Sequence, residues 1–453
     1  MNFITIFYII FFLLLLTVLF IYYSKIKKID VFFVFTAVYS IYYCLIPIIV
    51  DTFYSSTINT EYDYIYFINQ ATLQNRLFAL LYSVLGYILF YVGFKYTSNV
   101  SNNLKIDFYK IDNIFKLKLG RVFLYAGWFM FIVGGLSFGF IVYRLGGIGR
   151  ALELADYLRN PNVDSTYYLN QNILFLKTLG GLTLGAPYAF YATFTITQKK
   201  ITKVLFYLAF CVGFLYALFS AGKFVLFTYI AGFIVHSLLK NRKGKLVIIL
   251  FLGIVGIATI PFLDFLFGYL ASGGNKFYEN DTFIFKDIVT QFAFPYSNLV
   301  NIQNVNDHFG YRWGVDLINW IWNSMPNGFL NLFGLSTTSV LASNLTSYYG
   351  LFINTTGGTP ADVLTFVLSQ FGPFGLFLML LIGFLLKRIN DLLNKLDFDN
   401  FLFLYIAILI IPYSLVFNTE LVNIIKYRIS NTVLLIVLII VNRMVIKRFR
   451  KNF

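Results

Sequence analysis

Cations at the ends of apolar stretches are the residues here whose placement asks for a chemical explanation. Lys223 closes the short turn Ala221-Gly222-Lys223 between two apolar runs, and Arg428 stands just before another. Arg144 and Arg150 follow a third. A positive charge in such a place costs free energy unless an anion or a water-filled cavity receives it. The alternative is a side chain that snorkels to lipid phosphates. Groups able to take a proton are few: the acids Glu420 and Asp362, and the histidine His308. Asp362 also fits the plainer role of a helix N-terminal carboxylate. The run from Asn344 to Gly358 holds Asn, Thr, Ser, Tyr and Gly without a charge. Such groups donate and accept hydrogen bonds without demanding a counter-ion, as a hydroxyl-rich ligand requires.

The elements that must position these residues are membrane spans. The chain is 59% hydrophobic and 12% charged, where soluble domains carry about 25% charged residues. Apolar runs long enough to cross a bilayer recur throughout, which defines an all-α, polytopic transmembrane helical bundle. Eleven spans are expected, at about Phe3–Tyr23, Val31–Val50, Leu77–Phe94, Val122–Tyr143, Asn172–Ile196, Val204–Ser220, Phe224–Leu239, Leu246–Leu270, Val363–Leu386, Phe401–Phe417 and Thr432–Ile446. Lysines and arginines concentrate after the first, third, fifth, seventh, ninth and eleventh. Positive loops stay in the cytoplasm, so the N-terminus is expected outside and the C-terminus inside. The expected organisation is spans one to eight over 1–270, a long outer loop over 271–361, and spans nine to eleven with the cytoplasmic C-terminus over 362–453. The net charge of +15 then reports loop topology rather than nucleic-acid binding. The first apolar segment lacks a basic n-region and a small-residue cleavage site, so it reads as a retained helix. Cys44 and Cys211 fall in apolar spans, so neither a disulfide nor a metal site is expected.

The loop 271–361 carries Trp313, Trp320 and Trp322. Phe292–Val305, with Pro295 and the polar residues Ser297, Asn298, Asn301 and Gln303, reads as a short helix lying on the bundle. The tryptophan-rich stretch suits the membrane interface, with stacking on sugar faces as the sharper reading. Outer positions also hold Arg76, Lys177, Lys276, Lys286 and Arg312, some of which translocate with their loops regardless of charge. A Walker-type loop, a dinucleotide fingerprint and zinc-ligand spacing are all missing from the sequence. The pair Asp397-Phe398-Asp399 lies on the expected cytoplasmic side. Asp264 is the main acid within an apolar span, so no relay of buried carboxylates is legible.

In order, these features resemble the O-antigen and enterobacterial-common-antigen polymerases, the Wzy-type oligosaccharide repeat-unit polymerases. The resemblance rests on Tyr143-Arg-Leu-Gly-Gly, Ser220-Ala-Gly-Lys-Phe, Phe294-Pro-Tyr-Ser-Asn-Leu, Gly314 with Met325-Pro326, Gly357-Gly-Thr-Pro, Phe371-Gly-Pro-Phe-Gly, and Thr419-Glu420 near Arg428. The family usually has arginine at the hairpin tip where this chain has Lys223, which keeps the charge without the bidentate geometry.

The resemblance implies a multi-pass enzyme of the bacterial inner membrane that acts at the periplasmic face without a cofactor or metal. It would transfer a glycan from undecaprenyl pyrophosphate to the next lipid-linked repeat unit, building a surface polysaccharide such as O-antigen. An O-antigen-ligase-like transferase and a flippase or transporter of lipid-linked sugars are the competing readings. Arg144, Arg150, Lys223 and Arg428 would hold the pyrophosphate, with Glu420 as the base ahead of His308 and Asp362. Trp313, Tyr348, Asn354 and Thr359 would hold the glycan. The partners implied are the lipid-linked oligosaccharide and membrane lipid; a chain-length regulator and a flippase are the proteins to look for beside it.

Overall fold

A chain that runs through twenty apolar residues has no solvent for its peptide groups inside a bilayer, so the backbone must pair with itself. The computed structural model describes residues 3–26, 30–55, 63–96, 113–155, 158, 171–222, 225–230, 232–233, 247, 262–263, 265–270, 285–350, 358–395, 415–416, 418–422 and 428–450. Among these every regular element is helical. Six helical stretches are long and apolar enough to cross a membrane, the sixth being Val363–Asp391 counted through its 3₁₀ turn, and Ile429–Val445 is a shorter apolar helix. The protein is a helical membrane protein. Expected spans seven, eight and ten fall largely outside the described residues.

The first helices are α1 (Phe3–Ile26), α2 (Val31–Tyr54), α3 (Tyr64–Gln70) and α4 (Leu73–Tyr96). Asp30 caps α2 by accepting from the Phe33 amide, and also accepts from the Tyr22 hydroxyl and the Asn390 amide. Midway along α2 the helix widens into π-type turns at Ile41–Leu45 and Val50–Tyr54. Pro47 explains the first of them. It has no N–H for the Tyr43 carbonyl, and its ring would collide with that carbonyl in a regular helix. At the far end of α2, Asp51 pairs with Arg76 at 2.6 Å and accepts from Thr5. The expected outer cation Arg76 is therefore neutralised within the bundle.

Next come α5 (Asn113–Arg144), α6 (Ile148–Glu153), α7 (Gln171–Gly180), α8 (Ala186–Thr197) and α9 (Lys200–Phe219). Expected span five is not one helix, because a 3₁₀ turn at Gly181–Leu184 separates α7 from α8. Glycines on α5 let this broken element approach. A Cβ on Gly120, Gly127 or Gly134 would lie 2.7, 2.9 and 2.7 Å from Thr197, Phe190 and Thr183 respectively. Steps of seven along α5 match steps of seven backward along its partner, the register of an antiparallel, coiled-coil-like seam.

The long segment departs most from expectation. Its first described element is α10 (Phe285–Phe309), a 25-residue helix rather than a short surface one. Residues Ala293 and Tyr296 to Asn301 are buried in the bundle. Phe292 and Phe294 pack on Tyr42, Tyr296 bonds Tyr8 at 3.0 Å, and Lys286 pairs with Asp63 at 3.2 Å. Three shorter helices follow: α11 (Asp316–Asn323), α12 (Asn327–Leu332) and α13 (Leu341–Gly350).

Expected span nine is also broken. Val363–Phe371 forms α14, a 3₁₀ turn occupies Gly372–Leu376, and α15 runs Phe377–Lys395. Gly372 has φ +59, a left-handed conformation that a side chain resists. The chain folds back there: Gly375 packs directly on the Val367 carbonyl, and Leu364 and Leu376 both meet Gly86. At about 1.5 Å per residue, the nine residues of α14 fall well short of a bilayer core of about 30 Å. Only α15 runs on beside α4, the two parallel and in backbone contact through Gly93 against Leu380 and Gly383 against Phe90. The last helix, α16 (Ile429–Arg450), starts at Arg428.

Gly383→Val is expected to lower the melting temperature of the purified protein or prevent its folding, since overpacking costs about 1–3 kcal/mol where neighbours can move and more where they are backbone. Gly139→Val, at a position with nothing within 4 Å, should leave the melting temperature unchanged.

Candidate functional site

The first polar centre is built on Asp362. Its side chain is fully buried and caps α14 by accepting from the Thr365 amide at 3.1 Å. Tyr43, exposed to the interior by the π-type turn of α2, donates its hydroxyl to the same oxygen at 2.5 Å. Asn298 of α10 donates to the other oxygen at 3.2 Å and to the Pro360 carbonyl at 3.0 Å. A buried carboxylate is tolerable only with donors of this kind. Tyr43 lies midway along α2, so the backbone at 358–362 reaches the middle of that helix. Around the carboxylate, Thr359 pairs with Tyr64 at 2.9 Å and Ser297 with Tyr349 at 3.1 Å. Burial holds the Tyr349 hydroxyl well above the ordinary phenol range, so it stays neutral.

The second centre gathers cations. An apolar cluster of Phe138, Ile141, Leu145, Ala151, Tyr216 and Ala221 joins the end of α5 to α6 and α9. Arg144 and Arg150 project from its edge and are exposed; Arg150 pairs with Glu153 at 2.7 Å. Ala221 lies two residues before Lys223, which is outside the described residues. Tyr216 donates to the Lys177 carbonyl at 2.6 Å and lies close enough to Arg428 to feel its charge. Arg428 is buried, and its neighbour Ile429 packs towards Gly181. The segments bearing Arg144 and Arg150 thus meet at one apolar cluster, and Tyr216 of that cluster is within electrostatic range of Arg428. Lys177, also expected among the outer cations, donates its ammonium to the Leu158 carbonyl at 3.1 Å.

Residues 418–422 tie the first centre to α13. Thr419 donates its amide to the Ala361 carbonyl at 2.9 Å, next to Asp362. Buried Glu420 accepts from the Ala342 amide at 2.6 Å, in the first turn of α13. A carboxylate there satisfies an end amide and complements the helix dipole. From Ala342 the bonds continue through Thr346 to the Thr359 amide, at 2.6 and 2.8 Å. Glu420 therefore positions α13 whatever else it does.

The remaining candidates are dispersed. His308 is exposed at the end of α10. Trp313 is 71% exposed, with φ +50 and an edge contact to Tyr311. Its amide and that of Arg312 close the end of α14 by donating to the Gln370 and Ser369 carbonyls, both at 2.8 Å. Arg312 itself pairs with Asp316. Tyr348 packs on Phe67 and Tyr349. Thr359 is buried among protein partners, and Asn354 lies outside the described residues. Of the described members of the expected glycan set, Thr359 is buried and Trp313 is exposed. Among the described residues, no group of three or more His, Cys, Asp or Glu is placed to hold a metal. The chain matches no protein-family model, and no curated protein or solved structure matches it.

Asp362→Leu is expected to prevent folding, because it strands the Tyr43 hydroxyl, the Asn298 amide and the Thr365 amide, at about 1–3 kcal/mol each. Asp362→Asn keeps an acceptor and should cost about 1 kcal/mol in thermal unfolding, with activity retained if the residue is structural rather than the base.

Proposed function

We propose that this protein polymerises undecaprenyl-pyrophosphate-linked oligosaccharide repeat units at the periplasmic face of the bacterial inner membrane. The observation that carries the reading is the placement of Arg428. It is a buried arginine at the start of an apolar helix, within electrostatic range of Tyr216, and Tyr216 packs in the apolar cluster that the segments bearing Arg144 and Arg150 share. Glu420 lies eight residues before it. In the proposed step an acceptor sugar hydroxyl attacks the anomeric carbon of the lipid-linked glycan. The carbon–oxygen bond to pyrophosphate breaks, and the leaving group departs with its electron pair. Arg428, Lys223, Arg144 and Arg150 stabilise the charge that develops on it. Glu420 takes the hydroxyl proton, and the Ala342 amide fixes the orientation of that carboxylate. An O-antigen-ligase-like transferase would use the same groups with another acceptor.

A second reading, a flippase or transporter of lipid-linked sugars, is favoured by one feature. The half-helix α14 starts from a buried carboxylate at the level of mid-α2, and broken helices recur at transporter binding sites. Purified protein given lipid-linked repeat units separates the three. Longer lipid-linked glycans support the polymerase; unchanged units that cross vesicle leaflets support transport, and transfer to a different acceptor supports ligation.

Arg428→Ala and Lys223→Ala are each expected to reduce chain extension at least about a hundredfold while the protein still inserts, read as polymer ladders on gels. Normal ladders from both variants would remove the cationic site. Glu420→Gln keeps an acceptor for Ala342 and so should preserve folding. It is expected to lower turnover by about 10²–10⁴ with little change in donor binding, and a wild-type rate would exclude it as the base.

A further inference from the structure

We propose that Asn431, together with Arg428 and the first turn of α16, holds a glycosyl phosphate, its amide spanning a phosphate oxygen and the donor group on the neighbouring sugar carbon. This rests on the function proposed above and specifies what its anion site recognises. Asn431 is 1% exposed, yet neither its Nδ2 nor its Oδ1 has a hydrogen-bond partner among the described residues. An amide buried with both ends unmade is costly, and leucine would fill the same volume without that penalty. The side chain belongs to the first turn of a 22-residue helix. Side chains in a helix lean towards its N-terminus, and residues three apart share a face, so Asn431 and Arg428 address the same region. That region carries the positive end of the helix dipole. The 3₁₀ turn after α7 packs on the same end of α16: a Cβ added to Gly181 would meet the Tyr216 hydroxyl at 3.6 Å and Ile429 at 3.9 Å, ordinary contact distances, and one on Gly185 would meet Ser430 at 2.9 Å.

The two unmade groups define the ligand. A phosphate oxygen accepts from Nδ2 but leaves Oδ1 without a donor. A sugar bound through its anomeric oxygen to phosphate supplies that donor, as the hydroxyl or acylamino N–H on the adjacent carbon. The site is closed in this structure, so occupancy requires a neighbouring side chain to move.

The test uses the full chain in lipid nanodiscs and three probes: a short polyprenyl pyrophosphate without sugar, the same lipid bearing a 2-hydroxy hexose, and its 2-deoxy counterpart. Wild type is expected to bind the 2-hydroxy probe on the order of tenfold more tightly than the 2-deoxy one. Asn431→Leu should erase that preference while its melting temperature stays level or rises. A preference unchanged in Asn431→Leu overturns the inference alone, as does a fall in melting temperature with discrimination intact. Should Asn431→Leu not insert, Asn431→Ser carries the same comparison. Failure of wild type to bind any of the three probes overturns the lipid-pyrophosphate reading and this inference with it.

Discussion

A carboxylate sealed inside an apolar bundle has to be given donors, and Asp362 draws them from three separate parts of the chain. Tyr43 reaches it from α2, Asn298 from α10, and the Thr365 amide from the helix it caps. Meeting that demand fixes where α10 lies, how deep the backbone at 358–362 descends, and why α14 must turn back at Gly372 before α15 runs on. The π-type turn forced by Pro47 belongs to the same arrangement, since Tyr43 lies within it. Removing one partner from such a centre leaves the others unsatisfied in a low-dielectric interior, which costs more than the net worth of any single bond. The centre therefore acts as a pin through the bundle.

Residues 418–422 tie that pin to α13 and precede Arg428 by a few residues in the chain. Thr419 reaches the backbone beside Asp362, Glu420 reaches the first turn of α13, and Arg428 begins α16 beside Tyr216. This gives α13 a defined seat between the polar seam and the cationic end. In the proposed reaction, the arrangement would hold acceptor and leaving group in one register.

The close helix contacts follow a different rule. Where α4 meets α15 and where α5 meets α7 and α8, glycines remove the side chain that would hold the backbones apart. In a bilayer, apolar surfaces gain little from leaving lipid, so close packing and hydrogen bonds carry association instead. The heptad spacing of Gly120, Gly127 and Gly134 serves that end, and it runs as far as Thr183 within the 3₁₀ turn.

Much of this was legible in the sequence, because hydropathy and charge act residue by residue. The apolar runs determined the helical membrane class and the places of the first four long helices, though α5 begins nine residues before the expected Val122, and Asp362 carried the signature of a helix cap. Tertiary structure alone decided the rest. Phe292–Val305 reads as a surface helix because its asparagines and serine look solvated, but their partners, Tyr349, Asp362 and Pro360, lie more than fifty residues away in sequence. Val363–Leu386 reads as one span because composition does not register a chain reversing at a left-handed glycine. The cations Arg76, Arg144 and Arg428 look alike in sequence, yet one is neutralised by Asp51, one is exposed and one is buried beside Tyr216. What a charge does depends on the group opposite it, and that group is supplied by the fold.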